Sequence, residues 1–220
     1  THADVILNGQ SASDFFGVSV ASAGDFNGDG KDDVIVSTTG DDGNASDSGR
    51  AFIFFGGITG TKSADTDANV ILNGESLGDN FGVSVASAGD FNGDGKDDVI
   101  VGAYRDDNTG DSSGSAFIFF GGVTGTKTAD THANVILNGQ SSNDDFGISV
   151  ASAGDFNGDG KDDVIVGADG DTGNASLSGR AFIFFGGITG TKTADTHADV
   201  ILNGQNARDN FSLSVASAGD

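Results

Sequence analysis

Cysteine is absent from the 220 residues, so neither a disulfide framework nor thiol chemistry is available. Basic residues are scarce: ten Lys and Arg stand against 33 Asp and Glu, for a formal net charge of −23. Nucleic acid and anionic membrane surfaces are held through Lys and Arg, so this balance argues against both as partners. No apolar run is long enough to span a bilayer, and no secretory signal segment is visible, so membrane insertion is not expected. Helix-forming windows are missing too, because glycine and β-branched residues interrupt each candidate. High acidity alone would suit a disordered chain, yet the 17 Phe recur at fixed places in strand-like runs. The expectation is a folded, all-β, strongly acidic protein.

What the chain has instead is repetition. Asp25, Asp90, Asp155 and Asp220 stand at intervals of 65 residues. Phe16 to Val36 equals Phe81 to Val101 residue for residue, and Phe146 to Val166 differs only at Ile148. A period above about forty residues with several short strands per unit points to propeller blades rather than helical solenoids. At the centre of each unit lies G-D-F-N-G-D-G-K-D-D-V-I-V. Its acidic half places oxygen-bearing side chains at alternate positions and glycine at the sixth, a pattern that lets a short loop wrap a hard cation. The ligand set read from it is Asp25, Asn27, Asp29 and Asp33 with the backbone carbonyl of Lys31. In the second copy it is Asp90, Asn92, Asp94, Lys96 (carbonyl) and Asp98, and in the third Asp155, Asn157, Asp159, Lys161 (carbonyl) and Asp163. Ca²⁺, which accepts six to eight oxygens in a forgiving geometry, is the expected ion. An EF-hand starts the same way but requires Glu at the twelfth position, where Val36 stands. A solvated acidic turn is the plain alternative. Four carboxylates within nine residues (Asp32 is the fourth) would then repel one another with no cation between them.

Each unit offers four antiparallel strands: about Val18–Ala23, Val34–Ser37, Arg50–Phe55 and Asn69–Leu72 in the first. The cation loop joins strands 1 and 2. The third strand is apolar on both faces, as expected of a strand sandwiched between neighbouring blades. This divides the chain into an outer strand of a preceding blade (1–10), blades at 11–75, 76–140 and 141–205, and the first strand of a further blade (206–220). The chain opens on a fourth strand (Val5-Ile6-Leu7), closes on a first strand (Ser214-Val215-Ala216), and ends on Asp220, the first ligand of another loop. It therefore reads as part of a longer repeat protein, and its terminal strands are expected to be covered by further repeats or by a second copy.

The motif and its surroundings resemble the FG-GAP repeat, the blade unit of the integrin α-subunit β-propeller. The resemblance spans the chain: Phe16-Gly17, Phe81-Gly82 and Phe146-Gly147 carry the first half, and Val101-Gly102-Ala103 and Val166-Gly167-Ala168 carry the second without its proline. In the first copy Val36-Ser37-Thr38-Thr39 has lost that second half, and Phe211-Ser212 replaces the last Phe-Gly. The resemblance implies a larger propeller of about seven blades and an extracellular place, secreted or at the cell surface. It also implies that ligand contacts use the end of the blades opposite the cation loops.

Differences among the copies gather at that end. They lie in the loops between strands 2 and 3 (37–49, 102–114, 167–179) and between strand 4 and the next strand 1 (75–80, 140–145, 205–210). The single Tyr, Tyr104, and Arg105 sit there. Loops on a rigid scaffold are where binding usually resides, so a protein or glycan ligand is expected at this end. No catalytic set can be singled out: His2, His132 and His197 recur in one T-H-A context, with Asp67 in the remaining copy, and read as solvated turn residues. The reading is a non-catalytic, calcium-stabilised segment of an adhesion or interaction protein. The alternatives are a structural repeat of a sheath, filament or matrix that assembles with its own kind, and an accessory domain of a secreted hydrolase.

Overall fold

A computed structural model describes residues 3–218. After β1 (Val5–Asn8), the first repeat contributes β2 (Val20–Gly24), β3 (Asp33–Thr38), β4 (Arg50–Phe54), β5 (Gly60–Ser63), α1 (Ala64–Asp67) and β6 (Val70–Asn73). The second contributes β7 (Ser84–Gly89), β8 (Asp98–Ala103), β9 (Ser115–Phe119), β10 (Gly125–Thr128), α2 (Ala129–His132) and β11 (Val135–Asn138). The third contributes β12 (Phe146–Gly154), β13 (Asp163–Ala168), β14 (Arg180–Phe184), β15 (Gly190–Thr193), α3 (Ala194–His197) and β16 (Val200–Asn203). In each repeat four strands pair antiparallel in sequence order, as β2-β3-β4-β6 do, with Val36 opposite Phe52 and Phe52 opposite Ile71. These are β-propeller blades.

The blades stack because the third strand is apolar on both faces and its side chains alternate across the sheet. Phe52 and Phe54 pack with Leu7 and Phe16 on one face of the first sheet. Ala51 and Ile53, on the other face, join a core with Val85, Val99, Phe117 and Phe119 of the second sheet. The second sheet repeats the rule, its Ala116 and Ile118 meeting Val164, Phe182 and Phe184 of the third. Along the first strands of the blades, the Ser19 and Ser84 hydroxyls accept the Val85 and Val150 N–H at 3.1 Å, and the Ser149 hydroxyl accepts that of Val215 at 2.9 Å.

Three features differ from the sequence expectation. The first two blades each gain a fifth, parallel strand from the following repeat: Gly125–Thr128 pairs with Val70–Asn73, and Gly190–Thr193 pairs with Val135–Asn138, while the third sheet keeps four strands. β5 pairs in the same way with β1. The expected absence of helix is corrected by three one-turn helices, in which Ala68, Ala133 and Ala198 return their N–H to the carbonyls of Ala64, Ala129 and Ala194. His132 and His197, both exposed, end two of these turns, with Nδ1 accepting the N–H of Thr128 and Thr193 at 3.1 Å. His2 lies outside the described residues. Finally, Ser214–Ala216 is not a strand.

The lost signature of the first copy has a local cause. A Cβ at Gly102 would stand 1.9 Å from the Gly147 carbonyl oxygen, whereas Ser37, at the matching place, donates its hydroxyl to the Gly82 carbonyl at 2.6 Å. No helix among the described residues is long and apolar enough to cross a membrane.

Candidate metal centre

Each acidic loop is closed by its first carboxylate. Asp25 Oδ1 accepts the N–H of Asp29 at 2.8 Å, and its Oδ2 accepts that of Gly30 at 2.8 Å. Asp90 does the same for Asp94 and Gly95, and Asp155 for Asp159 and Gly160, at 2.8–2.9 Å. The sixth-position glycine is required by its backbone: Gly30, Gly95 and Gly160 have φ of +85°, +89° and +91°, where a side chain is strained. The fifth carboxylate turns onto the seventh residue, Asp29 Oδ1 accepting the Lys31 N–H at 3.0 Å.

The ninth carboxylate lies at the base of the loop and is buried. Asp33, Asp98 and Asp163 are no more than 1% exposed. One oxygen of each accepts an N–H from the turn after the third strand, that of Gly56, Gly121 or Gly186, at 2.7–2.8 Å. The other accepts the N–H of the third loop residue at 3.1–3.2 Å. Burial pushes all three carboxyls up, against the pull of those N–H groups, and the like charge of the fifth residue adds to the rise, joined by that of the first residue at Asp33 and Asp98. Asp98 is pushed up to about 7. A loop base holding a buried carboxylate beside two more acids, within an all-oxygen donor set, suits a hard divalent cation. Among the described residues, no three His, Cys, Asp or Glu side chains converge as a ready-made metal cluster. The carboxylates are turned instead onto the loop's own N–H groups.

The contact that the sequence reading missed is between loops. The Asp25 N–H donates to Asp97 Oδ2 of the next blade at 2.6 Å, and the Asp90 N–H to Asp162 Oδ2 at 2.8 Å. A Cβ on Gly24 would stand 2.1 Å from that Asp97 oxygen, so the approach depends on glycine. The carbonyls of Phe26 and Phe91 accept the N–H of Gly122 and Gly187 at 2.7 Å. The first and second loops are thus tied to the following blade through the eighth residue of its motif. Asp97→Ala, which strands the Asp25 N–H, is expected to lower stability by about 1–3 kcal/mol. The matching Asp32, which is exposed, should lose less than about 0.5 kcal/mol on the same change. Thermal denaturation of both variants measures this, and equal losses would show that the loop-to-loop contact carries no stability.

At the opposite end the variable loops meet one another. Gly78 N–H donates to the Ser46 carbonyl at 3.2 Å and Arg105 N–H to the Asp79 carbonyl at 3.4 Å. The Arg105 guanidinium lies 5.1 Å from the centre of the Tyr104 ring. The FG-GAP repeat profile matches residues 16–54, 81–119 and 146–184, each stretch running from the Phe-Gly pair through the acidic loop to the end of the third strand. The chain belongs to the FG-GAP repeat family. It is 31% identical to integrin alpha-5 of Xenopus laevis over 186 residues, which is 80% of this chain and 17% of that protein. It is 34% identical to integrin alpha-6 of Gallus gallus over 145 residues, 64% of this chain and 12% of that one. Integrin alpha-3 of Cricetulus griseus is 38% identical over 105 residues, 47% of this chain and 10% of its own length. The FG-GAP chain therefore spans less than a fifth of the relatives it matches.

Proposed function

We propose that this FG-GAP chain is a non-catalytic, calcium-stabilised interaction segment of a secreted or cell-surface adhesion protein. The observation that carries the reading is the division of each blade into two ends. The acidic loops at one end are identical in all three copies, while the 2–3 and 4–1 loops at the other end differ and hold Tyr104 and Arg105. One Ca²⁺ per loop would be held by Asp25, Asn27, Asp29, the Lys31 carbonyl and Asp33, and by the matching residues of the other two loops. The ion would supply the charge that the buried Asp33, Asp98 and Asp163 lack, fixing the loop that anchors each blade to the next. A protein or glycan ligand would then meet the variable end. Isothermal titration is expected to show three calcium sites, with Mg²⁺ a poor substitute because it demands a tighter octahedron. No calcium heat would overturn the metal assignment. For the ligand, retention on panels of matrix proteins and glycans should change when 102–114 is replaced by the sequence of 167–179. Retention that survives the exchange would place binding elsewhere.

Assembly with further copies is favoured by a separate observation. Phe26 and Phe91 are fully buried under the next blade, whereas Phe156, in an identical loop, is 59% exposed, as is Val20 to 65% on the opposite outer face. A further repeat, from a continuation of the chain or from a second copy, fits that surface with the same residues.

A further inference from the structure

In the first and third blades a guanidinium sits where the third strand begins. Arg50 makes a bidentate pair with Asp41 at 2.5 Å for both bonds, and its Nη1 reaches Asp65 at 3.0 Å. Arg180 does the same with Asp171 at 2.6 Å and Asp195 at 2.8 Å. Both guanidinium groups also lie about 5 Å over a Phe ring, at 5.1 Å for Phe52 and 5.0 Å for Phe182. The middle blade keeps the acids, Asp106 and Asp130, but has Ser115 in place of the arginine. It also has Glu75 where the other two sites have Gln10 and Gln140. The flanking sites therefore set one arginine against three acids, counting Asp14 or Asp144, and the middle site sets none against four.

These four acids line one small pocket with Phe81, Ala103 and Phe117. Asp106 is 4% exposed and Asp79 5% exposed. Asp106 Oδ1 accepts the Ser115 hydroxyl at 3.0 Å and the Asn108 N–H at 2.9 Å, and Asp79 Oδ2 accepts the Ser76 N–H at 3.0 Å. Glu75 at the rim faces Asp130 of α2 within hydrogen-bonding reach, a contact between two carboxyls that needs a proton. The Asp130 charge and that of Asp107, from the 2–3 loop, also act on Asp79 and push its carboxyl up further. Among the described residues, no Lys, Arg or His forms an ion pair with any of the four. His132, on the last turn of α2, is engaged by Thr128 and Thr131.

Buried carboxylates with no counter-charge are costly, and a group so placed takes up a proton instead. We propose that the Asp106–Asp79–Glu75–Asp130 pocket is a proton-binding site that replaces the arginine of the flanking blades and makes the middle blade responsive to pH around neutrality. Burial, the largest cause, pushes Asp106 up to about 7, and the neighbouring Asp79 and Asp130 charges add to it. In the third blade Asp144, the counterpart of Asp79, is still pushed up by burial, to about 6, although there the Arg180 charge works to lower it. The sign follows from linkage: a carboxyl raised in the folded state binds its proton more tightly there than in the unfolded chain. Its stabilisation is complete below the ordinary carboxylate range and is lost as pH rises through about 7. Asp106 also closes the variable loop, its own N–H donating to the Ala103 carbonyl and its carbonyl accepting the Gly114 N–H. The charge state of the pocket thus reaches the loop that carries Tyr104 and Arg105.

The test compares the wild-type chain with Asp106→Asn and Ser115→Arg in chelator, at pH 5 to 8. Asp106→Asn should raise the melting temperature, and by at least about 2–4 °C more at pH 8 than at pH 5, because the stabilisation is lost progressively between the ordinary carboxylate range and about 7. Ser115→Arg should do the same, and the ¹³C carboxyl signal of Asp106, expected to titrate near 7 in the wild type, should move down by at least about one pH unit. A variant-to-wild-type difference in melting temperature that is constant across pH would overturn the proposal, as would an Asp106 midpoint in the ordinary carboxylate range. A rise in melting temperature at pH 8 on adding Na⁺, K⁺ or Mg²⁺, absent from Asp106→Asn, would assign the pocket to a metal ion and also overturn it.

Discussion

Phe91→Ala is expected to cost about 3–5 kcal/mol of unfolding free energy, while Phe156→Ala, an identical change in an identical loop, should cost about 0.5 kcal/mol or less. The difference comes from what lies beyond each loop. Phe91 is fully buried in the core shared by the second and third sheets, and its carbonyl accepts the Gly187 N–H at 2.7 Å. Truncating its ring removes apolar contacts that no side chain of its own blade can replace, and it leaves a cavity between two sheets. Phe156 has no such cover and is 59% exposed. Urea denaturation at low protein concentration measures both variants. The fluorescence of Tyr104, the only Tyr in a chain without Trp, reports the middle blade directly. Equal losses would mean that the blades do not depend on one another. Should copies associate, Phe156→Ala ought to shift the sedimentation coefficient toward the monomer while leaving the dilute-solution melting temperature unchanged.

The blade and its acidic loop were legible in the sequence because their signals are local. Val34-Ile35-Val36 and Ala51-Phe52-Ile53-Phe54 are strand-forming wherever they stand, and their alternation already divides the residues between two faces. The positive φ of Gly30 follows from the loop pattern alone. What stayed hidden depends on pairing between repeats. Gly125-Thr126-Lys127-Thr128 is polar and would pass for a loop; it becomes a strand only because Val70–Asn73 of the preceding repeat offers an open edge. Asp97 reads as one more acid of a cation loop until the N–H of Asp25, 72 residues earlier, is found on it. The change from Arg50 and Arg180 to Ser115 was visible in the copies, as was Glu75 for Gln. That Ser115 bonds Asp106 of the pocket that Glu75 lines was not, since Ser115 begins β9 and Glu75 lies in the loop before β7. The one-turn helices were missed because a four-residue turn such as Ala64–Asp67 is too short for a helical period.

Calcium removal should produce the other large effect, and it should be divisible by loop. An ion that binds only the folded state stabilises it by about 2.7 kcal/mol per site at a hundredfold excess over Kd. Three sites of the kind proposed would make chelation lower the melting temperature by many degrees. Asp94→Ala removes the fifth-position carboxylate of the middle loop, an exposed group whose Oδ1 accepts only the Lys96 N–H and whose Oδ2 meets the Asn92 amide. In chelator this variant should melt within about 1 kcal/mol of the wild type, since it loses only exposed hydrogen bonds. In millimolar calcium it should fall behind by roughly the contribution of one site, about a third of the total chelation effect if the three sites are equivalent. Asp107→Ala, in the variable loop of the same blade, removes an acceptor that holds the Ser112 N–H at 2.7 Å. Its cost should be the same with and without calcium. Scanning calorimetry of the three proteins in calcium and in chelator separates these outcomes. If Asp94→Ala and Asp107→Ala lose the same stability in calcium, the acidic loop is a solvated turn and the buried Asp98 at its base is neutralised by a proton rather than by an ion.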